Sequence, residues 1–249
     1  MSFGVCHLSI VPLRAEASDK SELVSQVLYG DLFTVLEHTK KWSYIKLQFD
    51  GYEGWIDNKQ FLTITEEDYT LYSQMQAHYV TDLVEYIICK ESHLYPVTIG
   101  ASLHISPLLN HKFEGHSISG KQDKAKLINT AFIYINSPYL WGGKTPFGID
   151  CSGFTQMVYR INGYTIPRDA SQQANEGEPL SFIEESEPGD LAFFDNDDGD
   201  IIHVGIIMKD NYIIHAHGKV RIDRLDHSGI YNVETNSHTH KLRVIKKLI

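Results

Sequence analysis

Short runs of alternating apolar and polar residues, separated by turn signals, cover residues 1–64. The clearest runs are residues 26–31, 32–36, 42–47 and 54–56. Because side chains alternate between the two faces of a strand, this period of two indicates short strands with one buried face. The pattern predicts a small all-β barrel.

Residues 65–120 carry weaker signals. Thr65, followed by three acidic residues, is placed to cap a short helix. Residues 86–89 and 94–100 have the composition of strands separated by polar turns. The segment is predicted to be a second small β domain or a linker region, and the polar stretch 117–123 is its best boundary.

The periodicity changes at about residue 121, where apolar positions take up helical spacing over residues 124–134. A second helix starts near Cys151, with apolar residues on one face, and ends at Asn162-Gly163. The strands predicted after it cover residues 190–194, 203–208 and 212–215. Helices followed by closely connected strands predict an α+β domain on an antiparallel sheet over residues 121–249.

The composition of the chain argues against several classes of function. The net charge of −10, from 32 acidic and 22 basic residues, opposes binding to nucleic acid or to an anionic membrane surface. No apolar run is long enough to span a bilayer, and the first residues lack the apolar core of a signal peptide. The sequence as given therefore predicts a soluble cytoplasmic protein without nucleic-acid or membrane partners, and an exported form remains the alternative.

Metal chemistry is also disfavoured. The three cysteines are widely spaced, which argues against a disulfide framework and a four-thiolate zinc site. The thirteen histidines are mostly scattered without a metal-binding motif, and the His-rich tract 237–240 has a polar, surface-like context. We predict no metal and no cofactor.

Cys151 is the candidate nucleophile. It stands at the start of a helix, where free backbone N–H groups and the helix dipole stabilise a thiolate and lower the pKa of a cysteine. Ser152-Gly153 leaves the helix start uncrowded, so backbone donors can meet the oxyanion of a substrate carbonyl. Cys6 and Cys89 are expected to be buried and inert, since Cys89 lies in an apolar run.

His203 is the candidate base because it stands at the start of an apolar strand. A base of this kind needs a third group that fixes its tautomer. His215, twelve positions further on, is expected roughly opposite His203 across a hairpin that turns at residues 209–211. His217 has the same side-chain parity and remains the alternative.

Five motifs occur in an order and spacing that resemble the NlpC-like family of cell-wall peptidases. They are Tyr139-Leu140-Trp141-Gly142-Gly143, Gly148-Ile149-Asp150-Cys151-Ser152-Gly153-Phe154, Pro167-Arg168-Asp169-Ala170-Ser171-Gln172-Gln173, Glu187-Pro188-Gly189-Asp190-Leu191 and His203-Val204-Gly205-Ile206. The resemblance covers residues 121–249 and implies a papain-like fold in which a helix-borne Cys faces a sheet-borne His. Members often place a His in the third position, which supports His215.

The front of the chain resembles bacterial SH3-like domains, in the stretch 11–14, a Tyr-Gly-Asp turn and the closing segment 51–56. The fold expected is therefore an α+β, papain-like NlpC-type catalytic domain (121–249). An all-β SH3-like barrel precedes it at residues 1–64. Residues 65–120 form either a second, divergent SH3-like domain or a linker region.

Within the family, the SH3-like front and the Pro-Arg-Asp motif resemble γ-D-glutamyl-L-diamino acid endopeptidases, or dipeptidyl-peptidase VI. That resemblance implies release of L-Ala-γ-D-Glu from murein peptides with a free L-Ala amine, with the front domain forming a wall of the substrate site. Tyr52 would meet the amine beside the carboxylate of Asp169, and Glu22 is a weaker acidic candidate. Ser152 would bind the α-carboxylate of D-Glu.

Asp150, Arg168 and Trp141 complete the substrate-binding set that the resemblance implies. Ala170 stands where relatives often carry a serine, which removes one expected substrate hydrogen bond. Structural alternatives exist for most of the set, since Tyr52 can pack in the barrel, Asp150 can be an N-cap only, and Arg168 can form a local surface pair with Asp169.

Two other functions remain open at this point. One is a wall-binding protein whose papain-like domain is inactive. The other is an amidase or acyltransferase that uses the same Cys-His-His site on another amide or on a lipid.

Overall fold

The computed structural model describes residues 2–90 and 93–249 and divides into two compact units. Unit 1 comprises Met1–Lys121 with Trp141–Pro146, and unit 2 comprises Gln122–Leu140 with Phe147–Ile249. Of the helices in the described ranges, none has both the length and the apolar character needed to cross a membrane.

The front of unit 1 is an antiparallel seven-stranded sheet in the order β3-β2-β6-β5-β4-β1-β7. Its strands are β1 (Ser2–Val5), β2 (Ile10–Arg14), β3 (Leu23–Leu28), β4 (Leu32–His38), β5 (Trp42–Leu47), β6 (Glu53–Asp57) and β7 (Leu62–Ile64). Burial alternates along β2 and β6, and Val11, Ile45 and Ile56 lie fully buried in the shared core. The all-β prediction for this segment is confirmed.

The rest of unit 1 contains two small antiparallel sheets, β10-β9-β11 and β12-β8. The elements are α1 (Glu66–Gln74), β8 (His78–Val80), β9 (Val84–Ile88), β10 (Leu94–Thr98), α2 (Ser106–Leu109), β11 (Lys112–Phe113), β12 (Ser117–Ser119) and β13 (Lys144–Thr145). Thr65 caps α1 as predicted, since its hydroxyl accepts from the amide of Asp68 at 3.0 Å. A second SH3-like domain at residues 65–120 stays a prediction.

Unit 2 combines helices with an antiparallel sheet in the order β15-β21-β16-β17-β18-β19-β20. Its elements are α3 (Ala125–Ile133), β14 (Gly148–Ile149), α4 (Cys151–Ile161), α5 (Ala170–Gln173), β15 (Glu178–Leu180), β16 (Leu191–Asp195), β17 (Ile201–Ile207), β18 (Tyr212–His217), β19 (Lys219–Asp226), β20 (Gly229–Asn232) and β21 (Ser237–Lys247). Because β21 pairs with both β16 and β20, the strands β16–β21 close on themselves.

Helix α4 is the central helix of unit 2. It packs against α3, α5, β17 and β18, and all of its residues are buried. The sequence indicated only one apolar face, and the difference arises because neighbours surround the helix on every side. The Asp150 carboxylate caps its first turn by accepting from the Gly153 amide at 2.7 Å. The helix ends before Gly163, whose φ of 82° lies in the left-handed region that favours glycine.

Candidate active site

Cys151 is the first residue of α4 and is only 6% exposed. Helix geometry leaves the first amides of α4 without carbonyl partners inside the helix. The backbone amides of Val204 on β17 and of Ser152 hydrogen-bond to the thiol. The thiol therefore lies beside the strand that carries His203, at the positive end of a helix.

Burial, however, governs the ionisation of this thiol. Removal from water raises the pKa of Cys151 to about 12, and the Asp150 carboxylate adds to the rise. The amides of Val204 and Ser152 and the Arg168 guanidinium act in the opposite direction but are outweighed. The expectation of a lowered thiol pKa was thus wrong, and the thiol needs a base to ionise.

His203 on β17 is suited to be that base. His203 is 5% exposed, and burial, followed by the neighbouring His215, His240 and His217, lowers its pKa well below the usual value. A neutral imidazole keeps a nitrogen lone pair that can accept a proton. The site therefore contains a neutral thiol and a neutral imidazole.

His215 is hydrogen-bonded to His203, with 2.8 Å between its Nδ1 and the Nε2 of His203. The two strands turn at Lys209–Asn211 as predicted. The register places His215 directly opposite Gly205, so His203 lies diagonal to it rather than opposite, which corrects the expected alignment.

Gly205 makes this diagonal contact possible. A Cβ at this position would lie 2.9 Å from the Cβ of His215 and 2.7 Å from the side chain of Ile213. Because Gly205 has no side chain, the side chain of His215 can lie against β17 at this position.

His217 occupies a different position. It is exposed, and its ring centroid is 6.4 Å from that of His203. The hydrogen-bond geometry accordingly favours His215 over His217 as the group that orients the base.

His240 on β21 also reaches this site. Its ring stacks on that of His203, with 4.1 Å between centroids and 23° between planes. The surface-like interpretation of residues 237–240 was therefore wrong for His240, whose partial burial lowers its pKa to about 4, with the nearby His215 and His217 contributing. Only the pairing of β21 with β16 and β20 brings it there.

Replacing His240 with alanine is expected to move the acidic limb of the kcat/KM profile to higher pH. His240 lowers the pKa of His203 in two ways: it shields the ring from water, and the two imidazolium charges repel each other. Removal of His240 ends both effects, so the pKa of His203 should rise. Because the base must be neutral in the free enzyme, a raised pKa carries the limb upward. His238→Ala on the same strand is the control, and an unchanged limb in His240→Ala would contradict the argument.

Arg168 and Asp150 form a buried ion pair in unit 2. The guanidinium Nη1 and Nη2 donate to Asp150 Oδ1 and Oδ2 at 3.0 and 2.7 Å, and the Arg168 side chain is 1% exposed. The structural alternative named for Arg168 was a local surface pair with Asp169, but the Arg168 side chain is buried, and Asp169 stands at the N-cap of α5. Asp150 thus serves as both helix cap and counter-ion.

Ser152 belongs to the same network. Its hydroxyl oxygen accepts from Arg168 Nη1 at 2.9 Å, in a buried position one residue after Cys151. This hydrogen bond ties Ser152 to the buried Arg168–Asp150 ion pair. Ala170, where a serine was expected, is buried at the start of α5.

Three of the predicted substrate residues lie in unit 1. Trp141 Nε1 donates to Glu22 Oε1 at 2.6 Å, so two of them are in direct contact. Tyr52 is partly buried and packs against the barrel core. Gly142 next to Trp141 has φ 76°, and a Cβ there would lie 2.3 Å from the Leu23 carbonyl oxygen, so this close approach requires glycine.

Sequence reasoning did not identify two further residues around the nucleophile and base. Tyr139 interacts electrostatically with Cys151 and Asp150, and burial followed by these neighbours raises its pKa. The only signal for Tyr139 was its place in the Tyr-Leu-Trp-Gly-Gly motif. Asp223 Oδ2 lies 3.1 Å from His215 Nε2, and no local pattern distinguishes it from other strand aspartates.

The cluster of histidines does not resemble a metal site. Within residues 2–90 and 93–249, no group of three or more His, Cys, Asp or Glu side chains is arranged to hold a metal ion. The arrangement instead offers a thiol, a neutral base, a group that orients the base and helix amides, which together suffice for acyl transfer.

Two protein families match the chain. The NlpC/P60 family matches residues 136–239, and the bacterial dipeptidyl-peptidase SH3 domain matches residues 13–61. The predictions of an NlpC-type catalytic domain and of an SH3-like barrel before it are confirmed.

Curated relatives extend over most of the chain. The γ-D-glutamyl-L-lysine dipeptidyl-peptidase of Bacillus subtilis is 29% identical, over 77% of this chain and 71% of its own. Dipeptidyl-peptidase 6 of Lysinibacillus sphaericus is 28% identical, over 86% of this chain and 88% of its own.

The fold has a close counterpart among solved structures. An NlpC/P60 family protein from Bacillus cereus superposes with a TM-score of 0.80 over 99% of each chain, at 19% identity. The fold, the two matched domains and the relatives agree: the chain carries an NlpC/P60 domain and a bacterial dipeptidyl-peptidase SH3 domain, and it is a cysteine peptidase.

Proposed function

We propose that this peptidase hydrolyses the γ-D-glutamyl-L-diamino acid bond of murein peptides with a free N-terminal L-Ala, releasing L-Ala-γ-D-Glu. The observation that carries the proposal is a buried thiol at a helix start, hydrogen-bonded to the amide of Val204 next to His203, whose ring is hydrogen-bonded to His215. Relatives named as γ-D-glutamyl-L-lysine dipeptidyl-peptidases support the choice of bond.

In this mechanism the Cys151 proton passes to His203 as the sulfur attacks the γ-carbonyl carbon of D-Glu. Backbone amides at the start of α4 stabilise the oxyanion. The His203 imidazolium then protonates the leaving amine of the diamino acid, and the C–N bond breaks. Water, deprotonated by His203, attacks the thioester and returns the thiol. His215 orients the base throughout.

Charged groups near the nucleophile suit a substrate that carries both a carboxylate and an amine. The Arg168–Ser152 pair offers donors to the α-carboxylate of D-Glu. Asp169 is the carboxylate proposed for the L-Ala amine. The contributions predicted for Tyr52, Glu22 and Trp141 stay predictions.

Acetylation of the L-Ala amine is expected to lower kcat/KM by at least about tenfold to a hundredfold. A charge-assisted hydrogen bond to the amine contributes about 1.5–3 kcal/mol, and acetylation removes the charge. We would measure kcat/KM for L-Ala-γ-D-Glu-L-Lys and its N-acetyl form side by side, with products identified by mass spectrometry.

Asp169→Asn is the matched variant, because asparagine caps a helix as well as aspartate does but carries no charge. It should impair the free-amine peptide and leave the acetylated one nearly unchanged. Equal kcat/KM values for both peptides in the wild type would contradict amine recognition and favour a general endopeptidase. Cleavage of a simple amide or lipid amide but not of the peptide would favour the amidase alternative.

A requirement for a free L-Ala amine would direct the enzyme to released peptides, because this amine is blocked in intact wall. We therefore propose a role in recycling murein peptides in the cytoplasm. Incubation with purified intact wall should release no L-Ala-γ-D-Glu, whereas the released peptides should be cleaved. Efficient release from intact wall would overturn the recycling role.

A further inference from the structure

We propose that Asp223 is a positioning residue that sets the tautomer of His203 through His215. The inference rests on the proposed role of His203 as the base, and it adds a carboxylate two hydrogen bonds away from the reaction. Asp223 would thus decide which nitrogen of the base is able to accept the thiol proton.

The three side chains lie on adjacent strands of one sheet. His203 Nε2 is 2.8 Å from His215 Nδ1, and His215 Nε2 is 3.1 Å from Asp223 Oδ2. All three are buried, with exposures of 5%, 0% and 1%. Ile213, rather than His215, pairs directly with Asp223, so this second contact is diagonal like the first. The result is a continuous chain from β17 through β18 to β19.

Arg221 holds the carboxylate in its charged form. Its Nε donates to Asp223 Oδ2 at 2.6 Å and its Nη2 to Oδ1 at 3.0 Å, a two-pronged pairing of high geometric specificity. Burial alone would raise the pKa of Asp223, but hydrogen bonds from His215 and Arg221 outweigh it and hold the pKa at about 2. Near neutral pH the group is a carboxylate, which only accepts hydrogen bonds.

The tautomers follow from this charge. Because the carboxylate only accepts, the Nε2 of His215 carries a hydrogen. Burial lowers the pKa of His215, so the ring is neutral and its Nδ1 keeps a lone pair. That lone pair accepts from Nε2–H of His203, which leaves the Nδ1 of His203 unprotonated and able to take the thiol proton. No proton passes to Asp223 in the reaction.

An amide in place of the carboxylate removes this constraint. The NH2 group of asparagine can donate to His215 Nε2, which drives the His215 proton to Nδ1. His215 then donates to His203, whose own proton moves to Nδ1 and blocks the acceptor. The same exchange at the Asp of a Ser-His-Asp triad leaves the geometry intact and lowers kcat by about 10⁴-fold.

Asp223→Asn is therefore expected to lower kcat by about tenfold to a hundredfold with little change in KM, since Asp223 is one residue further from the reaction. Asp226→Asn is the matched control, because Asp226 lies on the same strand and accepts from His238 Nε2 at 2.8 Å in an exposed position. The control should keep wild-type kcat. Equal kcat values in the two variants would overturn the proposal.

The tautomers are read directly by NMR of isotopically labelled histidine in Cys151→Ala, without substrate. We expect the proton on Nε2 in both His203 and His215, and its transfer to Nδ1 of His215 when Asp223→Asn is added. A proton on Nδ1 of His215 while Asp223 is intact overturns the inference, even if the added variant fails to fold. Correct tautomers together with no cleavage of the murein peptide would instead reject only the proposed substrate.

Discussion

Cys151→Ala is expected to abolish turnover, lowering kcat by at least about 10⁴-fold, because removal of a nucleophile eliminates the covalent route and leaves only binding and oxyanion stabilisation. The two side chains differ little in volume, so α4 should keep its buried packing. Unfolding temperature and peptide affinity should therefore stay close to those of the wild type. Steady-state kinetics, thermal unfolding and calorimetric binding measure the three quantities.

Cys89→Ala is the matched control, since Cys89 is a partly buried thiol in unit 1, and we expect wild-type kcat from it.

Iodoacetamide should label Cys151 faster than Cys6, which is fully buried and whose pKa burial raises further. The labelling of Cys151 should slow in His203→Ala, because the thiol loses its base. Residual kcat above about one hundredth of wild type in Cys151→Ala would exclude the proposed mechanism.

His203→Ala should reduce kcat nearly as severely, by about 10³- to 10⁴-fold, because the general base and the later proton donor are lost together. His215→Ala should cost about a hundredfold and leave measurable activity, since this residue orients the base without taking its proton. His217→Ala serves as the comparison, because its ring is exposed.

Activities of these variants should be expressed per folded molecule, since His215 is completely buried and its removal leaves a cavity. His215→Gln, which retains hydrogen-bonding groups, separates loss of orientation from loss of packing. A larger kcat loss in His217→Ala than in His215→Ala would reverse the choice of orienting residue.

Local patterns were sufficient for the elements that carry the candidate site. The helix that begins at Cys151, its Asp150 cap and the strand with His203 all follow from apolar periodicity and capping chemistry, which act over a few neighbouring residues. The Thr65 cap was predictable for the same reason. Family-specific motifs, rather than periodicity, pointed to the papain-like arrangement and to the bond that we propose is cleaved.

Contacts between distant segments were decided only in three dimensions. Arg168 pairs with Asp150, which lies eighteen positions earlier in the chain, because the two side chains are buried together at the start of α4. His240 stacks on His203 because β21 returns to pair with β16.

Strand register explains most of what the sequence could not supply. A shift of one residue in register turns every side chain to the other face of a sheet, and apolar periodicity does not specify which residues pair across strands. Asp223 reaches His215 only through the register of β18 with β19. The ionisation of Cys151 likewise depends on burial, which outweighs the helix start that the sequence revealed, because desolvation acts through every atom packed around the thiol.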